Sequence, residues 1–177
     1  MGLMDQLIEA TMLALPKAPP YVVHGACITC PYARRYGNVV VPMSHGDYIH
    51  NIDQLTVNDS VGMRNVLTFG VCTSPENPAV QAVAAQIAAK VAAQTKKKKK
   101  SFFEKVGDFF CKDKKDEAPD ESFVQMCAAP CVPLILGSWD HGKETVELDG
   151  SKPLLADATL LCKWGGTITI VDSGQPT

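Results

Sequence analysis

The sequence predicts a mainly β domain, built from two β-rich halves that flank a helical, charged insertion and follow a short N-terminal helix. Three observations predict it. Short β-branched runs broken by Gly, Pro and Cys recur on both sides of the middle of the chain. Asp149-Gly150 lies between the extended segment 144–148 and the return through Leu154 and Leu155, and a type I′ hairpin turn needs positive φ at both central residues, which this dipeptide tolerates. Between the halves, at residue 79, the composition switches abruptly to Ala and then Lys.

Residues 1–20 come first. Leu3, Leu7, Ala10 and Ala14 follow helical spacing, and the prolines between residues 16 and 20 end the helix. The segment lacks a basic leading region and carries Asp5 and Glu9 inside its apolar stretch, which argues against a signal peptide. Gln6 breaks the myristoylation pattern that Met1-Gly2 suggests. An amphipathic helix with a stiff Pro-rich linker is expected, packed on its own domain or on a partner.

The first β-rich half covers residues 21–78. Residues 21–23 and 38–41 are β-branched runs, residues 47–58 alternate imperfectly, and Asn58-Asp59 and Gly62 supply turns before a further run at 65–71. The insertion, residues 79–126, opens with an Ala-rich helix over 79–95 whose Val80, Val83, Ile87 and Val91 form one narrow stripe. Lysines fill residues 96–100, and Phe102, Phe103, Val106, Phe109 and Phe110 then recur at helical spacing, a pattern that suits its own core, a partner groove or a membrane surface. Residues 112–121 mix both charges around Pro119 and read as a solvated linker.

The second half covers residues 127–177. Residues 144–148 are expected to be extended up to the Asp149-Gly150 turn. Pro153 lacks an N–H, so the return through Leu154 and Leu155 is an edge strand or pairs late. Residues 159–162 and 167–171 make two further strands around the Gly165-Gly166 break, with Cys162 at the corner. No sequence repeat is evident.

With 177 residues and 46% hydrophobic content, the chain suits one compact domain with appendages. A formal net charge of −2 argues against general nucleic-acid binding. No apolar run reaches the ~18 residues that span a bilayer.

Seven cysteines stand at 27, 30, 72, 111, 127, 131 and 162, an odd number that cannot all pair internally. Cys27-x2-Cys30 and Cys127-x3-Cys131 have spacings that suit metal ligation. Structural zinc, buried free thiols and disulfides are the open alternatives, and a reducing cytoplasm disfavours the last. Thioredoxin-like chemistry wants its first Cys at a helix N-terminus, whereas Cys30-Pro31 reads as a loop between strands. His24, His45, His50 and His141 are available to a thiol nucleophile, but no nucleophile elbow or phosphate-cradling loop accompanies them. No enzymatic role is expected.

Several motifs occur in order: Tyr21-Val22-Val23-x-Gly25-Ala26-x3-Cys30, Phe69-Gly70-x-Cys72 with Asn77-Pro78, Pro130-Cys131-x-Pro133, Trp139, Lys152-Pro153-x-Leu155, and Cys162-x-Trp164-Gly165-Gly166-x-Ile168. As an ordered set, covering both β-rich halves, they resemble the PAAR-like spike-tip proteins of type VI and related contractile injection systems. The resemblance implies a compact, tapered β domain seated on the blunt end of a trimeric β-helical spike, made in the cytoplasm and expelled on contraction. It implies a stabilising cluster of Cys30, Cys72, Cys131 and Cys162 around structural zinc. Better-known PAAR tips use mainly His with one Cys, so His24, His45 and Cys162 form a competing set, and the two sets exclude each other. Only six residues follow Val171, so no C-terminal effector domain is expected and cargo would bind separately. A cargo or effector adaptor using the N-terminal helix or the insertion is the alternative, and a cysteine-dependent oxidoreductase or hydrolase is a further one.

Overall fold

The computed structural model describes residues 18–103 and 121–176. The expected N-terminal helix and most of the Phe-rich stretch, including Val106, Phe109 and Phe110, lie outside the described residues, as does Cys111.

The described chain is strand-rich, with short elements. In order they are β1 (Ala26–Thr29), β2 (Gly37–Val39), β3 (Tyr48–Ile49), β4 (Ile52–Asp53), β5 (Val71–Cys72), α1 (Pro78–Phe103), α2 (Glu121–Met126), β6 (Ala129–Pro130), β7 (Thr159–Leu161) and β8 (Thr167–Asp172). A four-stranded antiparallel sheet runs in the order β2-β1-β8-β7, and β3-β4 and β5-β6 are two-stranded ribbons. The sheet joins the two halves at its centre, where Ile28 faces Ile170 and Thr29 faces Thr169 across a bulge. Alternation explains its buried face: Ala26, Ile28, Leu160 and Ile168 are at most 1% exposed, while their strand neighbours face outward.

The larger core gathers Val22, Ile28, Val39, Leu55, Phe69, Trp139, Leu154 and Ile168, among others. Three short arms, centred on Val22, Leu55 and Leu154, close into a ring inside it. The Val22 amide donates to the Leu154 carbonyl at 3.0 Å, Leu154 to Leu55 at 2.9 Å, and Leu55 to Val22 at 3.0 Å. Two residues onward the ring closes a second time, since His24 donates to Asp53, Val57 to Lys152 and Ala156 to Pro20 at 2.8, 2.9 and 2.9 Å. Single bridges between Val23 and Gln54, Thr56 and Pro153, and Tyr21 and Leu155 fill the positions between. Each arm then turns alike: the amides of Ala26, Asp59 and Ala158 donate to the carbonyls of Val23, Thr56 and Leu155, each at 3.1 Å. This is a threefold repeat of backbone structure in one chain, and every buried amide in the ring has a partner, as burial requires.

The Asp149-Gly150 turn forms as expected. Both residues have positive φ, at 48° and 71°, and Leu148 and Ser151 exchange amide bonds at 2.7 and 2.8 Å. A second turn of the same kind, His50-Asn51 with φ of 51° and 64°, closes the β3-β4 ribbon. Residues 144–148 depart from the expectation: Val146 is partly exposed and only Leu148 takes part in a bridge. Of the 65–71 run only Val71 enters a ladder, in β5, while Val66 makes isolated bridges; Leu154 and Leu155 also make isolated bridges, because they belong to the ring.

Asn77 caps α1, its carboxamide oxygen accepting from Ala79 at 3.0 Å, and Pro78 takes the first helical position, where a missing N–H costs nothing. Val80 and Ala84 pack in a second small core with Val124, Cys127 and Ala129. The helix runs further than the expected 79–95 and continues to Phe103, since Lys is itself a good helix former.

Candidate functional site

Four of the six described cysteines line one cavity. Cys30 follows β1, Cys72 ends β5, Cys131 follows β6 and Cys162 follows β7, and Tyr32, Phe69, Pro133, Trp164 and Gly166 complete the walls. The cavity measures ≈ 10 Å³, room for one water-sized particle and no small molecule.

Local backbone bonds set each thiol in place. The Ala33 amide donates to the Cys30 carbonyl at 2.9 Å, and Ala33 itself bridges to Cys72. Cys72 pairs with Ala129 in the β5-β6 ribbon. Cys131 donates to Gly70 at 2.9 Å, and its carbonyl accepts from the Thr68 hydroxyl at 2.7 Å. Cys162 donates to Gly166 at 2.9 Å and accepts from Gly165 at 3.0 Å. The site therefore draws on both halves of the sequence, with two thiols from each.

The electrostatics agree with this gathering. Burial pushes the Cys30 thiol up, the backbone at Tyr32 opposes it, and the neighbouring Cys162 and Cys72 push it up further. Burial likewise raises Cys131, against the backbone at Phe69 and with the help of Cys72, Cys162 and Cys30. For Cys30 and Cys131 the neutral thiol is therefore favoured, unless a cation is shared at the site. The four thiols are gathered but not arranged as a finished centre: among the described residues no three His, Cys, Asp or Glu side chains stand in a ready metal-holding geometry.

The competing set is placed differently. His24 sits against the Val41 backbone at 3.2 Å. His45 lies between two carboxylates, with Nε2 2.9 Å from Asp59 and Nδ1 3.5 Å from Asp149. Cys162 lines the thiol cavity, and no described histidine does. His141 pairs with Asp157 at 2.9 Å.

Cys27 is in β1, paired with Asn38 on one side and Asp172 on the other, so it is at no helix N-terminus and does not share the cavity with Cys30. Cys127 packs under α1 in the small core. All six described cysteines are free thiols.

Two features escaped the sequence. Gly166 borders the Cys30 sulfur, and a Cβ placed on it would lie 2.5 Å away. Asp59, read only as a turn former, is 5% exposed and accepts from the Thr56 amide and hydroxyl at 2.7 and 3.0 Å, from Asn65 at 3.1 Å, and contacts His45 at 2.9 Å. Its own carbonyl accepts from the Trp139 indole at 3.1 Å. The sequence signal was weak because Asn58-Asp59 is also ordinary turn chemistry.

Among the described residues no helix is long and apolar enough to cross a membrane. No curated protein and no solved structure matches the chain. A family model described as a domain of unknown function (DUF4280) matches residues 22–175, from the first residue of the ring to beyond β8 and across all four thiols of the cavity. The chain belongs to the DUF4280 family.

Proposed function

We propose that this chain is a structural spike-tip protein that caps and sharpens the trimeric spike of a contractile, type VI secretion-like injection apparatus, aiding puncture of the target envelope and delivery of effectors. The observation that carries this reading is the ring of Val22, Leu55 and Leu154. One chain whose backbone repeats three times about the ring offers near-equivalent edges to three identical subunits, which an asymmetric fold cannot do. A trimeric β-helical shaft can then continue onto it by strand addition.

Surface chemistry supports the same reading. Along residues 132–136, which bridge to Cys162 at Ile135, Val132, Leu134 and Leu136 are exposed while Pro133 is buried and Ile135 half-buried. Leu136 donates to the carbonyl of Leu161, itself exposed. An apolar strip of this kind is expected where another protein docks.

Within this reading Cys30, Cys72, Cys131 and Cys162 hold one structural zinc. The residues fit it: four sulfur donors match an all-thiolate tetrahedral site, and a cavity of ≈ 10 Å³ suits a single ion rather than a cluster. When bound, the ion cross-links four chain segments and neutralises the thiolates, which stiffens a narrow apex too small for a large apolar core. Binding would require the four sulfur atoms to draw together, because among the described residues no three His, Cys, Asp or Glu side chains stand in a metal-holding geometry.

A cargo adaptor role in the same machinery is the second reading, favoured by α1. Its stripe passes from buried Val80, which packs in the small core beside Ala84, to exposed Ile87 as the helix leaves that core, and an effector would meet it at Ile87.

Co-purification of the full chain with its genomic neighbours, read by mass spectrometry alongside metal content, tests both. A spike protein with one zinc per chain is the result expected, and deleting residues 79–126 leaves that capture intact. Loss of cargo on deletion, without any spike capture by the full chain, favours the adaptor; capture of neither sinks both.

A further inference from the structure

The placement of Gly166 points to a positioning role at the thiol cavity. Its φ is not among the positive values, so its backbone admits any residue, and the need for glycine here is one of space. A Cβ would stand 2.5 Å from the Cys30 sulfur and 3.5 Å from the Tyr32 ring, the first well inside van der Waals contact.

Both backbones are tied. Gly166 accepts from the Cys162 amide at 2.9 Å and sits one residue before the Leu161–Thr167 register of β7 and β8. Cys30 is held by the turn to Ala33 and by β1 immediately before it. The strain of any side chain at 166 therefore falls on the Cys30 thiol. Displaced inward, the sulfur fills a cavity of only ≈ 10 Å³; displaced outward, it leaves Cys72, Cys131 and Cys162 behind.

We infer that Gly166 is the residue that lets Cys30 join the other three thiols, and that its bare Cα sets the ligand geometry of the site. This rests on the proposed metal reading for its ligand but not for its geometry. The same glycine does a second job, since its carbonyl fixes Cys162, so two of the four thiols are positioned from one residue.

The test uses the full chain as wild type, G166A, C30A and G166A/C30A. Each is titrated with Co2+, whose thiolate charge-transfer band reports sulfur ligation, and each is pulse-alkylated without metal, with every cysteine read by peptide mass mapping. G166A is expected to bind Co2+ about 10–100-fold more weakly, as for other residues that orient metal ligands, and its Cys30 to be alkylated several-fold faster relative to Cys131. Its loss of melting temperature should vanish when compared in the C30A background, where there is no sulfur to meet, and this comparison holds even if G166A alone folds poorly. Unchanged Co2+ affinity together with unchanged Cys30 alkylation overturns the role, and so does a melting loss that persists in full without Cys30. A wild-type chain that takes up no Co2+ sinks the metal reading, and the alkylation and melting comparison then decide the positioning role alone.

Discussion

Val22 and Leu154, from opposite halves of the sequence, are joined by a 3.0 Å amide–carbonyl bond, and neither has any exposed surface. Leu55 closes the ring between them with bonds of 2.9 and 3.0 Å. Each of the three thus uses both its amide and its carbonyl within the ring, and its side chain in the core beneath. Backbone pairing and packing are concentrated at one point, and that point is what gives the fold its threefold character.

The ring predicts where stability resides. Leu55→Ala and Leu154→Ala each remove a fully buried side chain without touching the ring's hydrogen bonds, so each should cost about 2–5 kcal/mol. Denaturant unfolding measures this. Ile87→Ala, at a partly exposed helix position, should stay within about 0.5 kcal/mol of wild type.

Asp59 predicts a second vulnerability. Its carboxylate takes bonds from the Thr56 amide and hydroxyl and from Asn65, and replacing it by Ala leaves buried donors unsatisfied. Asp59→Ala should destabilise the chain by about 1–3 kcal/mol, while Asp157→Ala, at an exposed pair, changes the melting temperature little.

His45 predicts a pH dependence. Burial works against its charged form, but the hydrogen bond and charge of Asp59, and then those of Asp149, outweigh it and raise the His45 pKa. A raised folded-state value means that the protonated imidazole stabilises the fold. That contribution is complete below the unfolded value of ~6.5 and is lost as pH rises through the higher folded value. Melting temperature should therefore decline across that interval, and His45→Gln should flatten the decline. An equal slope in the variant would assign the effect to other groups.

The thiols predict a split among the cysteines. Ser in place of Cys30, Cys72, Cys131 or Cys162 should abolish stoichiometric zinc and lower the melting temperature, as should a chelator. Ser in place of Cys27 should leave the zinc content unchanged, because Cys27 lies in the sheet and not at the cavity. Elemental analysis of the purified variants gives the result directly.

Much of the second half was legible in sequence. Asp149-Gly150 announced its turn because only a few dipeptides accept two positive φ values, and the apolar run of β7 and the β-branched run of β8 flank a Gly-Gly break. The ring was not legible. Its arms, around Val22, Leu55 and Leu154, make single bridges rather than ladders, too short for period-2 alternation to register, and their partners lie far away in the chain. His50-Asn51 was missed as a turn because neither residue is glycine, although Asn is the commonest non-glycine residue at positive φ. The thiol cavity was assembled only through the ordered motifs: Cys27-x2-Cys30 and Cys127-x3-Cys131 suggest local pairs, yet the structure takes one cysteine from each pair and adds Cys72 and Cys162. Strand alternation explains the choice for the first pair, since the bulge after Cys27 and the turn at Cys30 send the two side chains to different surroundings.

Native mass spectrometry of the full chain mixed with a trimeric spike protein recovered by the co-purification tests the central claim most directly. The threefold ring predicts one chain on three spike subunits, with the complex weakened when Leu136 or Leu161 is replaced by Glu. Three chains per trimer, or no complex at all, would contradict it.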